Sequence, residues 1–355
     1  MYGTEAGHRR RPARRAAARR RRRAVAGTAL AATVLLAACS SPDDASPRPA
    51  QASERPDGSS EAPFWVNPDS RAQQALATAE ESGDAQEAEL VAAIAEQPAG
   101  QWLGTEDPET EARRITEAAQ EADRPPLLVL YNIPHRDCGQ YSEGGAPTAD
   151  AYRDWIARVV SGIGDRAAWV VLEPDALAHL LVPGCVPGEF HEEQYTLLRE
   201  AVESLSALPG TRVYLDAGNP QWVQDPGGMV EPLQRAGIAQ ADGFALNVSN
   251  YQTTEANVEY GTRLSSMVGG KHFVIDTSRN GNGPAEGVGD EEAWCNPPGR
   301  ALGTEPTTRT GEELVDAFLW IKRPGESDGT CKGGPPAGEW HHSYALELAR
   351  NATHP

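Results

Sequence analysis

The side chains best suited to chemistry in this 355-residue sequence are carboxylates standing directly after short apolar runs. Asp175 closes the triplet Glu173-Pro174-Asp175 after a run ending at Leu172. Asn132, Asp216, Asn247 and Asp276 follow other runs in the same way, and Lys322 follows the last. A single acid in such a place is usually a helix N-cap, because its oxygen satisfies free backbone N–H groups. Five of six runs ending in Asp, Glu or Asn are more than capping needs. Other reactive groupings are missing: there is no GxSxG and no HExxH, and Gly281-Asn282-Gly283 lacks the strand and lysine of a phosphate loop. His341-His342 are adjacent, and neighbours on a helix diverge, so neither a metal pair nor any cofactor is expected. Carboxylates together with Trp102, Tyr131, Trp222, Trp294 and Trp320 remain, which suits proton transfer to a glycosidic oxygen and stacking on sugar rings. Tryptophans of this kind are as often core residues.

The apolar runs at 127–131, 169–172, 212–215, 243–246, 272–275 and 317–321 read as strands. Helical periodicity falls between them, at 149–163, 192–207, 254–267 and 311–317. Continuous apolar strands separated by helices predict an α/β fold whose parallel sheet is covered on both faces. Six or seven such units in one domain fit a barrel or near-barrel better than an open sheet. In such barrels the functional groups gather at the C-terminal strand ends, which is where the carboxylates fall.

Charge and cysteine usage bound the setting. The net charge of −19 conceals a split between two unequal segments: residues 1–38 carry ten Arg and one Glu, leaving 22 basic and 50 acidic side chains beyond them. A body that acidic repels phosphate backbones, so no nucleic-acid partner is expected. The basic block precedes the fifteen-residue apolar stretch 24–38, which is shorter than the roughly 20 residues of a spanning helix and suits a signal peptide. Leu36-Ala37-Ala38-Cys39 resembles a bacterial lipobox, so Cys39 is expected to carry lipid and to supply the only membrane attachment. Residues 39–62, rich in Ser, Pro and Asp, read as a flexible tether, and 63–355 as a single catalytic-sized domain. Four cysteines remain, Cys138, Cys185, Cys295 and Cys331; in an exported chain two disulfides are expected, and arithmetic alone leaves three pairings open. A monomer is the default.

Six ordered segments carry a resemblance. They are 131–138 (YNIPHRDC), 173–175 (EPD), 214–218 (YLDAG), 247–251 (NVSNY), 275–283 (IDTSRNGNG) and 322–329 (KRPGESDG). Together they resemble glycoside hydrolase family 6, over about residue 63 to the C-terminus. The resemblance implies a distorted seven-stranded parallel β/α barrel and inverting, metal-independent hydrolysis of β-1,4-glucans. It makes Asp175 the general acid, Asp137 the neighbour that raises its pKa and helps order water, and Asp328 the residue at the position of the family's debated base. An inverting pair stands roughly 6.5–9.5 Å apart to admit a water. Tyr131 would press on the sugar undergoing cleavage, and Asp216 would hydrogen-bond within the cleft. Trp102, Trp222, Asn250, Trp294, Lys322 and Glu326 would line flanking subsites. Asn219 stands where the family usually has His; it can still bond a sugar hydroxyl but carries no charge. The resemblance also pairs Cys138 with Cys185 and Cys295 with Cys331.

Endo action is implied by short covers. Only Gly329 and Thr330 separate Asp328 from Cys331, and Asp175 to Cys185 spans ten positions, whereas the family's cellobiohydrolases carry longer loops there. An open cleft on a tethered enzyme without a binding module favours soluble glucan chains over crystalline cellulose. The competing readings are a cellobiohydrolase of the same family and an oligosaccharide-binding lipoprotein. The second has no need of an acid–base pair.

Overall fold

The strands alternate their side chains between two apolar surroundings, and that alternation builds the barrel. In the computed structural model, which describes residues 63–139, 141–285 and 293–352, seven parallel strands follow one another in sequence order. They are β1 (Gln101–Trp102), β2 (Leu127–Leu130), β3 (Ala168–Leu172), β4 (Thr211–Asp216), β5 (Gly243–Leu246), β6 (His272–Asp276) and β7 (Val315–Leu319). Val129, Val171, Tyr214, Ala245, Val274 and Ala317 meet in one buried cluster, the barrel interior, with Phe64 packed among them. Their neighbours Leu128, Leu172, Leu215, Phe244 and Ile275 point outward into the larger core shared with the helices. Because both faces are covered, the strands read as unbroken apolar runs.

The barrel is distorted at its seam. Among the described residues β1 and β7 form no ladder; instead Gly100 N–H donates to Trp320 O at 2.9 Å and Trp102 Nε1 to Ile321 O at 3.0 Å. A Cβ on Gly100 would lie 2.3 Å from Ile321 O, so this approach requires glycine.

Nine α-helices are described: α1 (Arg71–Ser82), α2 (Ala85–Ala95), α3 (Pro108–Glu121), α4 (Ala149–Ile163), α5 (Ala176–His179), α6 (His191–Ser206), α7 (Gly227–Arg235), α8 (Thr254–Met267) and α9 (His342–Asn351). Of these, α4 and α8 have the bounds predicted from periodicity, and α6 both starts and ends one residue earlier than predicted. Thr148 and Thr253 fix the N-termini of α4 and α8 by accepting from Ala151 and Ala256 N–H. None of the described helices is long and apolar enough to cross a membrane. The described residues all fall in one compact unit.

The helix predicted over 311–317 does not form. Gly311 turns at φ 77°, Thr310 Oγ1 accepts from Glu312 N–H, and β7 begins at Val315. Seven residues with a left-handed glycine at the start cannot sustain a helical nucleus against a sheet partner. The last strand accordingly lies two residues before the predicted 317–321. The signal peptide, Cys39 and the Ser/Pro-rich segment up to residue 62 lie outside the described residues.

Candidate active site

Left-handed backbone outside glycine concentrates just past the strands. His135, Asp137 and Cys138 adopt it after β2, Glu173 and Asp175 after β3, and Asn247 and Ser249 after β5. Such conformations cost free energy and persist where the surroundings over-determine them. Buried carboxylates do that here. Glu173, 1% exposed, accepts from the N–H groups of Asn132 (2.9 Å) and Ile133 (3.0 Å). Asp276 accepts from Ser249, Ser278, Ile321 and Lys322 N–H, joining three loops at the end of β6. Burial pushes Glu173 up to about 7, against the opposing pull of those N–H bonds.

Asp175 is the N-cap of the short helix α5, and its own N–H donates to Asp216 Oδ2 at 2.9 Å. Burial first, then the charges of Asp216 and Asp137, hold its carboxyl well above the usual aspartate range. Asp216 is itself pushed up to about 7, chiefly by burial. Asp137 is raised mainly by burial as well, opposed by a hydrogen bond from Ser142 N–H at 2.5 Å.

Asp328 is the opposite case. Burial disfavours its charge, but Arg279 and Lys322 outweigh it and hold the carboxyl well below its ordinary value. Arg279 Nη1 lies 2.7 Å from Oδ2, Lys322 Nζ 3.1 Å from Oδ1, and Asn296 N–H donates to Oδ2 at 2.9 Å. Arg279 is fully buried, bonds Ser249 O, and lies over the Tyr251 ring. The surroundings therefore favour the protonated form of one carboxyl and the ionised form of the other within one cleft.

Both line a cleft of about 1040 Å³. The cleft also receives Trp102, Tyr131, Asp137, Asn219, Trp222, Asn250, Trp294, Lys322 and Glu326, so nearly every residue singled out from sequence converges here. Tyr131 is braced edge-on by Trp102 (5.6 Å) and lies under Arg136 (4.8 Å), whose Nη1 also bonds Tyr131 O. Arg323 holds Glu326 at 2.9 Å. Asp216 is a correction: it stands behind the cleft wall, 1% exposed, and spends Oδ2 on the N–H groups of Asp175 and Gly218. Asn219 is also committed, its Oδ1 accepting from Gln221 and Trp222 N–H at 3.1 Å each, so it shapes the turn that presents Trp222.

Sequence reasoning gave no role to Arg279, Arg136 or Glu173, although all three stand in the quoted motifs. Their signal was a charged residue next to an apolar strand end or loop. The cysteines pair as 138–185 and 295–331, with Cα separations of 5.1 and 6.3 Å. His179 comes close to the first pair, but both sulfurs there are bonded to each other, which leaves no thiolate for a metal.

These features define a class: parallel β/α barrels whose C-terminal mouth holds a carboxyl with a raised pKa and another with a lowered one in a single aromatic-lined cleft. The model for glycosyl hydrolases family 6 matches residues 59–352, and the chain belongs to that family. It is 43% identical over 295 residues to Endoglucanase A of Cellulomonas fimi, covering 81% of this chain and 61% of that one. It is 42% identical over 313 residues to Endoglucanase A of Thermobispora bispora, covering 86% and 66% respectively. The chain thus spans just under two thirds of the length of these two relatives. The solved endoglucanase Cel6 of Mycobacterium tuberculosis, in complex with methyl-cellobiosyl-4-deoxy-4-thio-β-D-cellobioside, superposes with a TM-score of 0.76 at 44% identity, over 82% of this chain and 98% of that one.

Proposed function

We propose that this protein hydrolyses β-1,4-glucosidic bonds of cellulose or related β-glucans, within chains and with inversion. The observation that carries the reading is the opposite poise of Asp175 and Asp328 on one open, aromatic-lined cleft. Asp175 donates its proton to the glycosidic oxygen as the bond to the anomeric carbon breaks. Water attacks that carbon from the other face and its proton leaves on the water side, to which Asp328 is assigned. Arg279 and Lys322 make Asp328 a weak acceptor, so its charge also serves the positive character growing on the sugar ring. Asp137 adds to the burial and the Asp216 charge that favour the proton on Asp175 and helps order the water, while Tyr131 presses on the distorted sugar. Trp102, Trp222, Asn250, Trp294, Lys322 and Glu326 hold flanking sugars. The two endoglucanase relatives, and the cello-oligosaccharide named with the third, support the substrate class.

The disulfides favour an exported protein. Cys39 would be its lipidated first residue, 39–62 its tether and 63–355 its catalytic domain, acting as a monomer at the cell surface on soluble glucan chains. The test of the activity is Asp175→Ala. Hydrolysis of cellohexaose should fall by at least about 10³-fold while cellohexaose binding persists. Binding without turnover by the wild type would favour an oligosaccharide-capturing lipoprotein instead.

A further inference from the structure

Two glutamines in the cleft have no part in the site described so far. Gln221 precedes Trp222 on the turn capped by Asn219, and Gln252 lies after β5, ahead of α8. Their amides meet across the loops: Gln252 Nε2 donates to Gln221 Oε1 at 2.5 Å, and both side chains line the cleft. The placement of Gln252 is heavily determined. Its N–H donates to Asn247 Oδ1 at 3.0 Å, and its carbonyl accepts from Nδ2 of Asn247 (3.2 Å), Asn257 (3.0 Å) and Asn280 (3.1 Å). All three asparagines are buried, and Gln252 itself is 8% exposed. Gln221 is exposed, with its backbone N–H bonded to Asn219 Oδ1.

The internal bond leaves Gln221 Nε2 as a donor and Gln252 Oε1 as an acceptor, with no protein partner for either among the described residues. Neighbouring hydroxyls of a glucosyl unit each donate and accept, so a fixed donor beside a fixed acceptor is their complement. A sugar whose face rests on Trp222 would turn its hydroxyl edge to such a pair. Because a buried network fixes Gln252 beforehand, little conformational freedom is lost when the sugar arrives.

We propose that Gln221 and Gln252 act together as a specificity-determining pair, reading the hydroxyl edge of the glucosyl unit seated at Trp222. The inference rests on the β-glucan reading above and adds to it which residues discriminate the sugar at that position. The side-chain bond of the pair does not involve Asp175, whose own N–H goes to Asp216, so the pair is assigned to binding and not to proton transfer.

The test is calorimetric titration of cellotetraose into Asp175→Ala protein and into the same protein carrying Gln221→Ala, Gln252→Ala or both. Each single substitution should weaken Kd about 3- to 10-fold. The double variant should be little worse than either single one, because removing either amide breaks the pair. Kd values within 1.5-fold of the parent, or losses at the two positions that simply multiply, would overturn the proposal. Gln221→Ala keeps the test decisive if Gln252→Ala fails to fold, since the exposed side chain leaves the grip of Asn219 on the turn intact. Wild-type turnover of cellohexaose is measured alongside. Turnover with unaltered Kd in the variants removes the pair alone, whereas absent turnover and absent parent binding remove the β-glucan reading and the pair with it.

Discussion

Burial alone would keep both Asp175 and Asp328 neutral, and the difference between them lies in what stands beside each. Asp175 has carboxylates for neighbours, and Asp328 has Arg279 and Lys322. The sign of the resulting pH dependence follows. A general acid works while protonated, so in the role proposed for Asp175 activity should be lost as pH rises through its elevated pKa. Removing a negative neighbour favours ionisation, so Asp137→Asn should move the alkaline limb of kcat/KM to lower pH by about 0.5–1 unit. A pH–rate profile of wild type and variant reads this; an alkaline limb that stays in place would mean Asp137 does not tune the acid. Asp328→Asn should destabilise the protein by about 3 kcal/mol by leaving Arg279 buried without its counter-charge, visible as a lower Tm. The convergence of Asp137, Asp175 and Asp328 on one cleft was legible because each stands in an ordered motif. The commitment of Asn219 to its own turn was not, and neither was the withdrawal of Asp216 behind the wall. Both depend on which way a side chain turns, and sequence spacing carries no information about that.

Elements with strong local signals were legible to the residue. Helices α4 and α8 each combine a threonine N-cap with residues buried at helical spacing, and sequence and structure agree on both ends. Strand β1 was invisible because two residues cannot show a period, and its pairing is fixed by β2 and by the seam at Gly100. The 311–317 segment misled because a short polar–apolar alternation fits a helix and a strand approach equally well. Close packing between elements gives a sharp prediction at Gly243, where a Cβ would sit 2.0 Å from His272 O. Gly243→Ala should force β5 from β6 and cost at least about 2 kcal/mol in denaturant unfolding. The Cys138–Cys185 disulfide joins the loop carrying Asp137 to the one following Asp175. Replacing both cysteines by serine should cost about 2–5 kcal/mol of stability, and kcat should fall with it because the acid's neighbour is released. An unchanged kcat at a temperature where the variant is folded would show that the staple serves stability alone.

For the whole molecule, the barrel was readable from continuous apolar runs alternating with helices. Its closure was not, since the seam is made by single hydrogen bonds and not by a ladder. Carboxyls with raised pKa values also set how the molecule responds to pH. Glu173 and Asp216 titrate near 7 when folded and near ordinary carboxyl values when unfolded, so the stability they confer is present at acid pH. It is lost as pH rises through about 7. Thermal unfolding should therefore show a lower Tm at pH 8 than at pH 5.5, by roughly several degrees. The central claim is tested most directly by following the anomeric proton signals of cellohexaose digestion from the first minutes. Early α-anomer, distributed over several product lengths, is the predicted result. Early β-anomer would contradict inversion by Asp175 and a water, and cellobiose as the sole early product would contradict the open, mid-chain cleft.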